Sequence, residues 1–186
     1  MSLRSVLELD ARLSRQMRVA ERPGAVRTLA AFFAHSGDSW FWGAALIILW
    51  FFSDSFWREW EVVEFVGISL LAALVMGIKF LVRRRRPEGE WGGIYRNTDP
   101  HSFPSGHAAR AFLIAVIGAA LGPLWLGIIL WVWAPVVSLA RVAMGVHYVS
   151  DVVAGAALGV AVALIGLQIY EPLFSMLTEL IGFPLW

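Results

Sequence analysis

The sequence predicts an all-α, polytopic transmembrane helix bundle of five clear spans, with room for a sixth, and an N-terminal amphipathic helix. Three observations predict it. Of 186 residues, 59% are hydrophobic and 16% charged, where a soluble domain carries about 25% charged residues. Mean hydropathy is +0.68. Five stretches are long or apolar enough to cross a bilayer, with polar turns between them. The length suits one domain, 1–186.

Residues 1–38 read as an amphipathic, interfacial region. Leu9, Leu13 and Met17 recur four apart with Arg12, Arg15 and Arg18 between them. That is the pattern of a helix lying on a bilayer surface, or of a solvated terminal helix. Arginines throughout this region exclude the continuous apolar core of a signal peptide. The first span is Ser39 to Ser53, short, with apolar Ala25 to His35 before it to extend or support it. The second is Val62 to Val82 and the third Ser105 to Gly122. The fourth, Leu124 to Met144, contains Pro135 as a predicted kink, and the fifth is Val149 to Tyr170. The apolar tail Pro172 to Trp186 is expected to dock on the bundle or dip into the interface.

Two GAALG segments, Gly118–Gly122 and Gly155–Gly159, place small residues four apart, which lets membrane helices approach closely. Trp40, Trp57, Trp60 and Trp125 lie near span ends, as interfacial anchors do, whereas Trp131 and Trp133 are expected to pack. The polar segment 83–104 is longer than the other connections after Glu61, and reads as an active-site loop.

The chain has no cysteine, which excludes disulfides and thiolate metal sites, and a net charge of +1 gives no global field for nucleic acid. Charged groups inside membrane helices are expensive and mark function. Here they are Lys79, Arg110, Arg141 and Asp151, with His107 and His147 at helix ends. Counting crossings brings all of them to one membrane face.

Lys79, Arg86 and Arg141 then form a cationic cluster that low dielectric tolerates only beside an anion, and phosphate fits. Arginine offers forked donors to phosphate oxygens and lysine a point charge. Pro104-Ser105-Gly106-His107 reads as a helix start, with Ser105 as cap and Gly106 letting backbone N–H groups approach an anion. His147 and Asp151 are four apart, on one helical face. A carboxylate so placed holds the imidazole in one tautomer and leaves the other nitrogen to attack phosphorus. His107 could then protonate the leaving alcohol.

Duller readings stand beside these. Arg83, Arg84 and Arg85 read as a juxtamembrane basic cluster near headgroups. Arg110 could snorkel, and His35 and His101 read as bystanders. The carboxylates near the convergent face, Glu88, Glu90, Asp99 and Asp151, form no ligand set at zinc spacing, so no metal and no cofactor are expected.

These residues resemble the type 2 phosphatidic acid phosphatases, a superfamily that also contains vanadium haloperoxidases and bacterial acid phosphatases. Its three-part signature matches Lys79 through Arg86-Pro87, then Pro104-Ser105-Gly106-His107, then Arg141, His147 and Asp151. The resemblance implies that Lys79, Arg86, Ser105, Gly106 and Arg141 bind phosphate, that His107 is the general acid, and that His147 forms a phosphohistidine oriented by Asp151. One departure is Ala140, where the family usually has serine.

The expected function is an integral-membrane lipid phosphatase acting on a lipid phosphate or diphosphate such as phosphatidic acid, phosphatidylglycerophosphate or a polyprenyl (di)phosphate. The alternatives are a lipid phosphotransferase, a vanadate-dependent haloperoxidase or a catalytically silent lipid-binding protein. Expected partners are the lipid substrate and membrane lipids, not nucleic acid. The resemblance implies a bacterial-type plasma membrane with the site facing outward. The arginine distribution, by the positive-inside rule, implies the reverse, and an impermeant label on a cysteine at Thr98 distinguishes them.

Overall fold

The computed structural model describes residues 2–89, 91 and 99–182. Among these it is all-α, with seven helices: α1 (Leu3–Gln16), α2 (Ala25–Ser36), α3 (Ser39–Trp50), α4 (Ser55–Val82), α5 (Gly106–Leu121), α6 (Leu124–Ala143) and α7 (Val149–Ile181). Their starts follow local chemistry. Ser2, Asp54 and Ser105 each accept a backbone N–H of the first turn, so α1, α4 and α5 begin on side-chain caps. Arg83 ends α4 in the left-handed region at φ 51°. Thr98, Glu90 and the last four residues of the tail lie outside the described residues.

α5 is the central helix, packed against α4, α6 and α7, and most of its residues from Ala108 to Gly118 are buried. The glycine pairs bring the neighbours close. A Cβ on Gly155 would lie 2.4 Å from the Ser105 carbonyl oxygen, and one on Gly159 1.9 Å from that of Ala109. A Cβ on Gly118 would lie 2.4 Å from Leu130 Cδ1. The small-residue segments are therefore packing seams: α7 lies directly against the first turns of α5. Trp133 packs as expected, against Trp42, whereas Trp131 touches Phe112 edge-on but stays 43% exposed.

Three helices are long and apolar enough to cross a membrane: α4, α6 and α7. α3 and α5 are apolar but shorter, at 12 and 16 residues. At 1.5 Å per residue they reach roughly 18 and 24 Å, against a hydrocarbon core of about 30 Å.

Several expectations need amending. The stretch Ala25 to His35 does not extend the first span; it is a separate helix, α2, broken from α3 at Gly37–Asp38. The tail does not separate from the fifth span at Pro172: α7 runs on to Ile181. Packing accounts for this, because Tyr170 and Phe174 on either side of Pro172 are buried in the main core, and Tyr170 Oη donates to Glu59 Oε1 at 3.0 Å. Glu64, within the second predicted span, is a charged-type residue that the apolar reading passed over, and it is fully buried.

α1 docks through its polar side. Asp10 accepts from Ser150 N at 3.0 Å and Ser14 Oγ from Val149 N at 3.0 Å, so α1 supplies partners to the orphan N–H groups that begin α7. Val6, Leu13 and Met17 stay exposed on an adjoining stripe.

Candidate active site

The turns and helix ends that hold the predicted residues meet at one end of the bundle. Lys79 is in the last turn of α4, His107 in the first of α5, Arg141 in the last of α6, and Asp151 in the first of α7. Lys79, Asp99, Gly106, His107, Arg110 and His147 line one cavity of about 210 Å³, whose apolar wall is Ile68, Leu71 and Val75 of α4. His147 also opens into a second cavity of about 1000 Å³, on the α1 side, bordered by Ser14, Arg15, Arg18, Arg86 and Tyr148.

His147 is 1% exposed, in the turn between α6 and α7. Its Nε2 lies 3.3 Å from Arg86 Nη1, which also donates to the Val146 carbonyl at 2.8 Å. Its Nδ1 faces Asp151 Oδ2 at 3.6 Å. That separation exceeds a hydrogen bond, but it points Nδ1 at the carboxylate and leaves Nε2 toward the cations. Burial, and then the nearness of Arg86, Arg141 and Lys79, pushes His147 well below the ordinary histidine value. The imidazole is therefore neutral over the physiological range, as a nucleophile must be.

Asp151 is fully buried and well supplied with donors: Oδ2 accepts from Tyr148 N at 2.8 Å and Oδ1 from Arg84 Nη1 at 2.7 Å. Arg84 also reaches Asp10 Oδ2 at 2.7 Å and stacks 4.0 Å over the Tyr148 ring. The reading of Arg84 as a headgroup-facing cation is thus corrected. Arg83 and Arg85 remain exposed, but Arg84 is turned inward because two buried carboxylates face it. Arg110 does not snorkel either; it is 8% exposed and donates to the Gly37 carbonyl.

The cationic cluster is partly neutralised from within. Asp99 pairs with Lys79 and, at 2.7 Å, with Arg86 Nη2. Its carboxylate stands where these cations would hold an anion. Arg141, 1% exposed, donates to the Ala34 carbonyl at 3.3 Å. Ser105 Oγ accepts from Ala108 N at 3.4 Å, so its hydroxyl caps α5 while Gly106 borders the cavity. Ala140 packs in a small cluster with Ala20, Ala34 and Met144, and Ser138 Oγ is spent on the Ala134 carbonyl at 3.0 Å.

Two carboxylates at the site come from residues 1–38 and were not expected there. Asp10 belongs to the Arg84 network. Asp38 Oδ1 lies 2.6 Å from His107 Nε2, and its Oδ2 lies 3.2 Å from His35 Nδ1. His35 is therefore one step from the site rather than a bystander. His101, by contrast, packs edge-on against Phe80. Among the described residues no three His, Asp or Glu side chains gather as a metal site.

The geometry can be set beside known proteins. The chain is 38% identical over 109 residues to decaprenylphosphoryl-5-phosphoribose phosphatase of Mycobacterium tuberculosis, covering 58% of this chain and 59% of the relative. It therefore spans about three fifths of that relative's length. It is 31% identical over 147 residues to undecaprenyl-diphosphatase of Sulfolobus acidocaldarius, covering 76% of this chain and 69% of that one. Its fold matches the crystal structure of a transmembrane PAP2 type phosphatidylglycerolphosphate phosphatase from Bacillus subtilis with a TM-score of 0.72 at 24% identity, over 90% of this chain and 87% of the other. The PAP2 superfamily model matches residues 61–175. That interval holds all three parts of the signature, from Lys79 to Asp151, and more than half of the chain, which therefore belongs to the PAP2 superfamily.

Proposed function

We propose that this chain is a metal-independent phosphatase that hydrolyses a lipid phosphate or diphosphate at the membrane surface through a phosphohistidine on His147. The observation that carries the reading is His147 itself: a buried, neutral imidazole whose Nε2 faces Arg86 in a cavity shared with Lys79, Gly106 and His107. Nε2 attacks phosphorus as the bond to the lipid oxygen breaks. His107 gives that oxygen a proton, and Asp151 holds His147 from behind. Lys79, Arg86, Arg141, the Ser105 hydroxyl and the Gly106 backbone N–H stabilise charge on the phosphoryl oxygens, displacing Asp99 from the cations. Water, deprotonated by His107, then cleaves the N–P bond and releases phosphate.

The apolar α4 wall beside the reacting groups supports a lipid leaving group, because an acyl or prenyl chain can remain in the bilayer while its phosphate reaches His147. The names of the relatives support polyprenyl substrates and phosphatidylglycerophosphate, and phosphatidic acid is proposed beside them on the signature alone. We place the whole chain, 1–186, in one multi-pass domain of a bacterial-type plasma membrane, with the site facing outward and 83–104 as its active-site loop. The shared site supports five crossings, because the end of α4, the start of α5, the end of α6 and the start of α7 all meet there, as does Asp38 at the start of α3. On this reading α3 and α5 traverse the bundle beside their longer neighbours.

The test is phosphate release by the full chain in detergent with EDTA, on phosphatidic acid, phosphatidylglycerophosphate and a polyprenyl diphosphate. Release that survives EDTA and falls at least 10⁴-fold (order of magnitude) in His147→Ala supports the reading. Folded protein that releases phosphate from none of them contradicts it.

A further inference from the structure

The loop between α2 and α3 lies outside the residues matched to the family, yet it grips His107. Asp38 occupies the N-cap position of α3 but makes no side-chain cap bond. A cap of this type stabilises a helix by about 1 kcal/mol, and Asp38 forgoes it to point at His107. The loop is itself held. Trp42 Nε1 donates to the Ser36 carbonyl at 3.0 Å, Trp133 Nε1 to Ser36 Oγ at 2.9 Å, and Arg110 to the Gly37 carbonyl. A Cβ on Gly37 would lie 3.5 Å from His107 Cδ2, so the loop backbone packs against the ring while Asp38 takes its edge.

Resting on the phosphatase reading above, we propose that Asp38 is the positioning residue of the general acid, holding the His107 ring through Nε2 and favouring, against the cations around it, the proton that the ring transfers to the leaving lipid alkoxide. With Nε2–H committed to Asp38, the transferred proton leaves from Nδ1. The P–O electron pair stays on the lipid oxygen, which takes that proton, and the Nε2–H bond to Asp38 persists through the step.

The charges around His107 show why a carboxylate is needed. Arg110 faces it from its own helix and Arg141 from α6, while Lys79, Asp99 and His147 share its cavity. Asp38, braced by His35, is the carboxylate in direct hydrogen-bond contact. Burial alone would raise the Asp38 carboxyl, but its bonds to His107 and His35 more than offset this and hold it at about 2. It stays ionised wherever the enzyme would work.

The experiment compares two esters on the full chain in detergent. Phosphatidic acid has an alkoxide leaving group that needs a proton; p-nitrophenyl phosphate has one that does not. Positioned general acids contribute about 10²–10⁴-fold. Asp38→Asn is expected to lose about 100-fold in kcat/KM on phosphatidic acid, within that range, and under about threefold on the aryl ester. The alkaline limb of its pH profile should move to lower pH. Asp38→Glu should recover part of the alkyl activity. Equal losses on both esters, or none on either, overturn the inference while the phosphatase reading stands. Where the wild type refuses phosphatidic acid, the panel lipid it does hydrolyse takes its place, and a wild type that releases phosphate from no panel lipid and not from the aryl ester overturns both. Should Asp38→Asn not fold, Asp38→Glu decides the matter alone, by whether its alkyl activity falls more than its aryl activity.

Discussion

The backbone N–H of Ser105 donates to the carbonyl oxygen of Asp151 at 2.9 Å. This bond ties the start of α5 to the first turn of α7, and so ties the segment bearing His107 to the segment bearing His147. It forms because Gly155 and Gly159 let α7 lie against α5 with no side chain between them.

That seam should be intolerant of one added carbon. Gly159→Ala would place Cβ 1.9 Å from the Ala109 carbonyl, against backbone that cannot swing aside. Overpacking of this kind costs about 1–3 kcal/mol, so the melting temperature in detergent should fall and activity with it. Gly166→Ala is the control, since nothing lies within 4 Å of the Cβ it would add. Equal melting temperatures for the two variants would show that the seam does not set the spacing.

Arg84 and its neighbour Arg83 should separate cleanly. Arg84→Ala leaves the buried Asp151 and Asp10 carboxylates short of their shared cation. Breaking a buried pair by removing one partner costs about 3–5 kcal/mol. Arg84 retains some exposure, so a loss at or below the lower end is expected, with activity down at least tenfold. Arg83→Ala, on an exposed side chain, should stay within about 0.5 kcal/mol of wild type. Denaturation in detergent and turnover together check this. Matching behaviour of the two would contradict the inward role of Arg84.

The pH dependence has a definite sign. A histidine pushed down by burial and by Arg86, Arg141 and Lys79 stays neutral until the pH falls well below its ordinary value of 6.5. The nucleophile should therefore remain competent on the acid side, and the acid limb of kcat/KM should have its midpoint below 6.5. A profile measured between pH 4 and 9 in roughly half-unit steps would locate it. A midpoint above 6.5 would mean that His147 is not held neutral by this environment.

Much of the site was legible because its signals are local. Pro-Ser-Gly-His opens a helix, and His147 lies beside Asp151 four residues on, although it sits in the turn before α7 rather than on the helical face expected of the pair. Crossing counts then placed Lys79, His107, Arg141 and Asp151 at one face. The missed partners are joined across long stretches of chain. Asp38 meets His107 over 69 positions, and Arg84 meets Asp10 over 74. Nothing local distinguishes Asp38 from an ordinary cap or Arg84 from the arginines beside it. Glu64 escaped because its neighbours are so apolar, and α7 outran its predicted end because Tyr170 and Phe174 pack across Pro172.

The central claim is that His147 carries the phosphoryl group. The most direct measurement is rapid acid-free quenching of the full chain with a ³²P-labelled lipid phosphate in EDTA, followed by mapping of the label. The account predicts a protein-bound phosphate that is stable in alkali, labile in acid, confined to His147 and missing from His147→Ala. Turnover that persists in His147→Ala, with no labelled histidine in the wild type, would contradict it.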